Sequence, residues 1–168
     1  MPFRARKLAA SVIAAACVTL AGISVAFADD PPQPPPASIP PVAVENYEYP
    51  GADRILAEKG IKLKRGDGHI VLAECDQAAQ QIRVMTVEDA SAGRRGTYCF
   101  KAVGKTGRLT LELPRVFAVE APDHPVSADL TADGRTTTVN VPKGGFESVG
   151  EGTVGGARSV LVELRVTG

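Results

Sequence analysis

The chain has 168 residues and carries 19 basic side chains against 19 acidic ones. That balance excludes a protein drawn to nucleic acid or anionic lipid by its overall charge. Aromatic residues make up only 5% and Trp is absent, so an aromatic stacking platform for sugars is thin from the start.

The first 28 residues have the layout of a secretory signal peptide. Arg4, Arg6 and Lys7 form a positive start, and Leu8 to Phe27 carries no charge. Ala26-Phe27-Ala28 then puts small residues at −3 and −1 of a cleavage site before Asp29. A retained membrane anchor could use the same apolar run, which is about long enough to span. The Ala-x-Ala site and the polar chain beyond it favour cleavage. Lipidation of Cys17 fits less well, because Ala14 stands where a bulky aliphatic residue is needed and the chain after Cys17 stays apolar. Arg4-Ala5-Arg6 is not a twin-arginine pair, so general secretion is the expected route. The mature chain of about 140 residues is then mildly acidic, of a size for one domain, and expected to be soluble and extracellular.

Residues 29–46 contain the run PPQPPPASIPPV and read as an extended or disordered Pro-rich spacer. Pro32-Gln33-Pro34-Pro35 also matches a proline-recognition motif, although the spacer reading fits an exported chain better.

The folded domain is expected over 47–168. Pro50-Gly51-Ala52-Asp53 reads as a turn in which Asp53 caps a helix of about two turns, with Ile55 and Leu56 on its apolar side and Gly60 as its stop. From Ile61 the period changes to two. Ile61 and Leu63 alternate with Lys62 and Lys64, Gly66-Asp67-Gly68 turns the chain, and His69 to Cys75 runs back, a predicted hairpin. Further strands are expected at Ile82–Val84, at 97–103 and at Arg108–Leu113, where Leu109, Leu111 and Leu113 alternate with polar residues. Short strands follow at 116–120 and 126–131. Asp133-Gly134 reads as a hairpin turn into Thr137, Val139 and Val141. The last strand, Val160 to Val166, is expected to bury Val160, Val162, Leu164 and Val166 on one face. Short strands at regular spacing with one short helix predict an all-β domain, a β-sandwich with the jelly roll as a candidate sub-type. Strand order is not legible.

Cys75 and Cys99 are the cysteines left after leader removal, and an oxidising compartment predicts a disulfide between them. Without a C-x-x-C spacing they make a poor zinc site.

Motifs for chemistry are weak. Gly150-Glu151-Gly152-Thr153-Val154-Gly155 matches a dinucleotide fingerprint, but a strand pattern follows it where a helix is required, so it reads as a flexible loop. Ser148 lacks the glycine two positions earlier that a nucleophile elbow needs, since Phe146 stands there. His69 and His124 sit in no triad context. Asp67, Asp76, Asp123, Asp129 and Asp133 are the candidates for a structural calcium, with no EF-hand spacing among them; no cofactor is expected. Lys62, Lys64 and Arg65 form a small basic strip. Candidate ligand-binding residues are Tyr47, Tyr49, His69, Phe117 and Phe146.

The strings YPGADRILAEKGIKLKRGDGHIVLAEC, TGRLTLELPRVFAV and VPKGGFESVGEG resemble a group of small secreted proteins of high-GC Gram-positive bacteria. The resemblance covers Tyr49 to Gly168 and implies export, while naming no reaction. From Arg108 onward the alternation also looks like sandwich domains appended to secreted peptidases and glycosidases, a likeness of pattern that carries no site residues. The expected function is a secreted, non-catalytic module that binds an extracellular protein or wall polymer, with no nucleic-acid partner and no membrane contact after cleavage. A carbohydrate-binding module and a small secreted hydrolase are the alternatives.

Overall fold

The computed structural model describes residues 47–168. The expected leader and Pro-rich spacer lie outside the described residues. In chain order the elements are β1 (Tyr47–Glu48), α1 (Ala52–Lys59), β2 (Lys62–Gly66), β3 (Ile70–Ala73), β4 (Ile82–Thr86) and β5 (Thr97–Ala102). There follow β6 (Thr106–Pro114), β7 (Val116–Ala121), β8 (Val126–Ala132), β9 (Arg135–Val141), β10 (Gly145–Ser148) and β11 (Val160–Thr167). Two antiparallel sheets form. One has six strands in the order β1-β2-β6-β11-β8-β9, and the other has five in the order β10-β7-β4-β5-β3. The domain is a β-sandwich, with more strands than the eight of a jelly roll.

The core lies between the two inner faces. Leu109, Leu111 and Leu113 of β6 are fully buried, as the alternation predicts, and Val84, Phe100 and Val119 of the five-stranded sheet join the same cluster. Each such side chain contributes on the order of 1.5–3 kcal/mol by leaving water. Tyr98 is buried beside them, and burial pushes its hydroxyl pKa up. That hydroxyl donates to the carbonyl of Lys59 and accepts from the Arg95 N–H at 3.0 Å, which ties the end of α1 to the sandwich. An eight-residue helix needs such an anchor.

Several local expectations need correction. Asp53 does not cap α1. The cap position is Gly51, in a left-handed conformation and with no side-chain bond, and Asp53 falls in the first turn, where its charge favours the helix dipole. Gly60 does end the helix, through its N–H to the Leu56 carbonyl. The segments β2 and β3 do not form a hairpin. β2 pairs with β1 and β6, and β3 pairs with β5 in the opposite sheet. Alternation reports which face of a strand is buried and is silent about its partner. Asp67 holds this crossover: its carboxylate accepts from the His69 N–H at 3.0 Å and from the Arg108 N–H at 2.9 Å.

On β11 the register shifts between Leu161 and Glu163. The bulge turns Leu161, Leu164 and Val166 to the core and leaves Val160 and Val162 half-buried, contrary to the uninterrupted alternation expected there. The glycine loop is also not loose. A side chain at Gly152 would meet the Phe117 carbonyl at 2.1 Å, so the missing Cβ serves close packing. The strands β1 and β10 were not expected; both are too short to show a period.

The outer face of the six-stranded sheet carries an ionic ladder. Arg108 reaches Glu163 at 2.6 Å, Arg165 pairs with both Glu163 and Asp129, and Thr138 donates to Asp129 at 2.6 Å. The Arg165 guanidinium holds the Asp129 carboxyl below the usual carboxylate range. A depressed folded pKa contributes stability above the unfolded value of about 3.9, and that contribution is lost as pH falls through the folded pKa. Asp129→Asn is expected to lower stability at neutral pH and to shrink the further loss in acid. Urea titrations at neutral pH and near pH 3 check both.

Cys75 and Cys99 are joined, with Cα atoms 5.1 Å apart at a sequence separation of 24. Cys99 is fully buried on β5, so the bond pins the loop after β3 onto the sheet. Replacing both cysteines by Ala is expected to cost about 3 kcal/mol of chain-entropy stabilisation, read from the urea midpoint.

Candidate functional site

The sandwich is open along its two flanks, where the last strand of one sheet faces the last strand of the other. At the first flank the edges are β1 and β3. Tyr47 and Glu48 pair with Gly66 and Arg65, and the Tyr49 N–H donates to the Lys64 carbonyl at 2.8 Å. Pro50 and Gly51 then swing the chain into α1. This path sends the Tyr49 ring across the gap, and its hydroxyl accepts the Leu72 N–H of β3 at 2.8 Å. One side chain thereby joins the edges of both sheets.

Beside this bridge lies a groove of about 410 Å³ walled by Tyr47, Tyr49, Pro50, Ile55, Ile70 and Val71. Glu48 and Asp67 stand among its lining residues as its acidic groups. Tyr47 is 63% exposed, so an aromatic face is offered to solvent. An apolar wall with a few polar groups is the usual make-up of a binding groove.

The five candidate ligand-binding residues separate into two places. Tyr47 and Tyr49 wall this groove. His69 follows the same turn, half-exposed and with Nδ1 3.6 Å from Asp67, but it does not line the groove. Phe117 and Phe146 lie on β7 and β10, at the other edge of the five-stranded sheet. Phe146 is exposed opposite Glu120, and Phe117 is half-buried with its carbonyl accepting from the Val149 N–H at 2.9 Å. The walls Ile55, Ile70 and Val71 were legible only as apolar positions; nothing in their spacing brings α1 and β3 together.

A second groove of about 470 Å³ opens at the other flank, between β9 and the loop from Ser148 to Ser159. Ser148 lines it, but neither histidine does. Ser159 donates to the Val116 carbonyl at 2.9 Å and is buried. The loop is fixed by Arg115, whose guanidinium meets Glu151 at 2.8 and 2.6 Å and draws that carboxyl below its usual range. A strand, β11, follows the loop.

The five aspartates are dispersed. Asp67 staples the crossover, Asp76 accepts from the Ala78 N–H, Asp123 pairs with Lys143 and His124, Asp129 belongs to the ladder, and Asp133 sits in the β8–β9 turn. Among the described residues no group of three or more His, Cys, Asp or Glu is placed to hold a metal. Lys62 and Lys64 both face Glu112, which lowers its carboxyl pKa, chiefly through Lys64, so this one carboxylate offsets part of the basic strip.

No family model matches the chain, and no curated protein matches it. Among solved structures, the antifungal protein from Streptomyces tendae Tu901 matches 58% of this chain and 98% of its own length, at 19% identity and a TM-score of 0.42.

Tyr49→Phe keeps the groove wall and removes the bridge. It leaves the part-buried Leu72 N–H without its partner, with an expected loss of about 1 kcal/mol. Faster amide exchange at Leu72 is the specific readout.

Proposed function

We propose that this protein is an exported, non-catalytic module that binds an extracellular protein or a cell-wall component in the tyrosine groove. The observation that carries the reading is the exposed Tyr47 ring beside an apolar wall held open by Tyr49. Tyr supplies a large contact area at small conformational cost, with a hydroxyl to orient the ligand. Export rests on the leader pattern and is supported by the Cys75–Cys99 bond, which suits an oxidising compartment.

The histidines support binding over hydrolysis. His124 lies 3.2 Å from its chain neighbour Asp123, His69 leans toward Asp67, and neither lines the tyrosine groove or the Ser148–Ser159 groove. Acyl transfer needs those groups in mutual reach. Carbohydrate binding is the narrower form of the proposal, with Tyr47 as the stacking face.

The test is a titration of isotope-labelled chain, recovered from culture medium, against solubilised wall fragments and fractionated medium proteins. Shifts are expected at Tyr47, Ile55 and Val71. Tyr47→Ala is expected to weaken the interaction by about tenfold, the scale of one exposed aromatic anchor. Shifts confined to the Ser148–Ser159 groove, or turnover of a substrate that depends on His69 or His124, would overturn the proposal.

A further inference from the structure

A sandwich has four strand edges, and unpaired edges recruit other strands unless they are short or capped. Here β1 has two residues, β10 has four, and β3 has four with its Leu72 N–H taken by Tyr49. The fourth edge, β9, is different. It has seven residues, pairs with β8 without a register shift, and exposes Arg135 through Thr138 and Asn140. It contains no proline and no bulge, and among the described residues no loop backbone or side chain bonds to its backbone.

The hairpin shows which backbone groups are unused. Asp133 and Gly134, both at positive φ (49° and 75°), form the two-residue turn closed by Ala132 and Arg135. In such a turn the closing pair is hydrogen-bonded, and bonding alternates along the strand. Arg135, Thr137, Val139 and Val141 therefore bond to β8. Thr136, Thr138 and Asn140 point their N–H and C=O groups away from the sheet.

We propose that β9 pairs with β9 of a second copy, antiparallel about a two-fold axis at Thr138, continuing the six-stranded sheet across a homodimer. The register is self-complementary. Thr138 faces the partner's Thr138, Thr136 faces the partner's Asn140, and each opposed pair exchanges two backbone hydrogen bonds. Thr137 lies beside the partner's Val139, at the rim of the Ser148–Ser159 groove. Arg135 faces the partner's Val141, which keeps the two Arg135 side chains about 20 Å apart along the strands. The turn bearing Asp133 comes to the end where the partner's Lys143 stands, so each Asp133 approaches an exposed lysine that also pairs with Asp123 of its own chain. Contacts between opposed threonines and opposite charges favour cross-strand pairing, and like charges directly opposed disfavour it. The interface is narrow, so the dimer is weak and reversible. The proposal does not depend on the tyrosine groove.

Sedimentation equilibrium of the chain recovered from medium tests it. A monomer–dimer equilibrium is expected below about 1 mM. Thr138→Lys places two ammonium groups on the axis and is expected to raise the dimer Kd about fivefold or more. Its fold is checked by its melting temperature. Thr138→Cys is expected to give a disulfide-linked dimer on mild oxidation, whereas Thr136→Cys is not, because two Thr136 positions lie about 14 Å apart in this register. A monomer at all concentrations, a dimer indifferent to Thr138→Lys, or equal cross-linking at both positions would overturn the proposal.

Discussion

Two packed sheets hold together only if each strand keeps its apolar side chains turned to the opposite sheet, and the hardest place to satisfy that condition is Arg115. β6 ends at Pro114 in one sheet and β7 begins at Val116 in the other. Leu113 and Val116, on either side, are both fully buried. The chain must change sheets within one residue, and Arg115 does so in a left-handed conformation at φ 61°. That backbone is unfavourable by about 1 kcal/mol or more for a non-glycine residue. The surroundings over-determine it. Its N–H reaches the Ser159 carbonyl at 2.8 Å, its carbonyl accepts from the Val87 N–H at 3.0 Å, and its guanidinium grips Glu151 with two bonds. The crossing, the glycine loop and the start of β11 are thereby set by one residue.

The second groove follows from that arrangement. Because Arg115 and Glu151 hold the loop from Gly150 to Gly152, its glycine backbone can lie against the Phe117 carbonyl and still leave space under β9. The first groove has a different support. Tyr49 reaches between the sheet edges and supplies a hydroxyl acceptor where the ladder would otherwise end. The two flanks thus solve the same edge problem differently. One is clipped by a tyrosine and leaves an apolar wall, and the other leaves a long strand with three residues unpaired among the described residues.

The ionic ladder belongs to the same sheet as β9 and explains how its outer face can be highly charged without repulsion. Arg108 and Arg165 stand side by side on paired strands. Glu163 lies between them in the ladder and is nearly buried, and Asp129 takes two bonds from Arg165. Such a network is worth more than isolated surface pairs because each side chain is already ordered by its neighbours. It reaches β9 through Thr138, so the outer strand is held to its sheet by a side-chain bond as well as by the ladder of main-chain bonds.

The fold class was legible because period-two alternation is a local consequence of the extended backbone. Leu109, Leu111 and Leu113 declare a buried face wherever β6 ends up, and Asp133-Gly134 declares a tight hairpin because both residues tolerate positive φ. The Cys75–Cys99 bond was legible from compartment and number. What alternation cannot carry is the identity of a strand's neighbour. For that reason β2 and β3 read as a hairpin although they lie in different sheets, and the bulge in β11, which depends on pairing with β6 and β8, went unread. The groove was half legible: Tyr47 and Tyr49 stood out as residue types, but the other wall residues come from two separate elements, Ile55 from α1 and Ile70 and Val71 from β3. Sequence by itself determined the apolar faces of unbulged strands such as β6, where the chain turns and which thiols can pair, since those depend on neighbours along the chain. Only the tertiary structure decided strand partners, the Arg115 crossing, the tyrosine bridge and the open edge of β9, because each rests on groups brought together across tens of residues by packing of the two sheets.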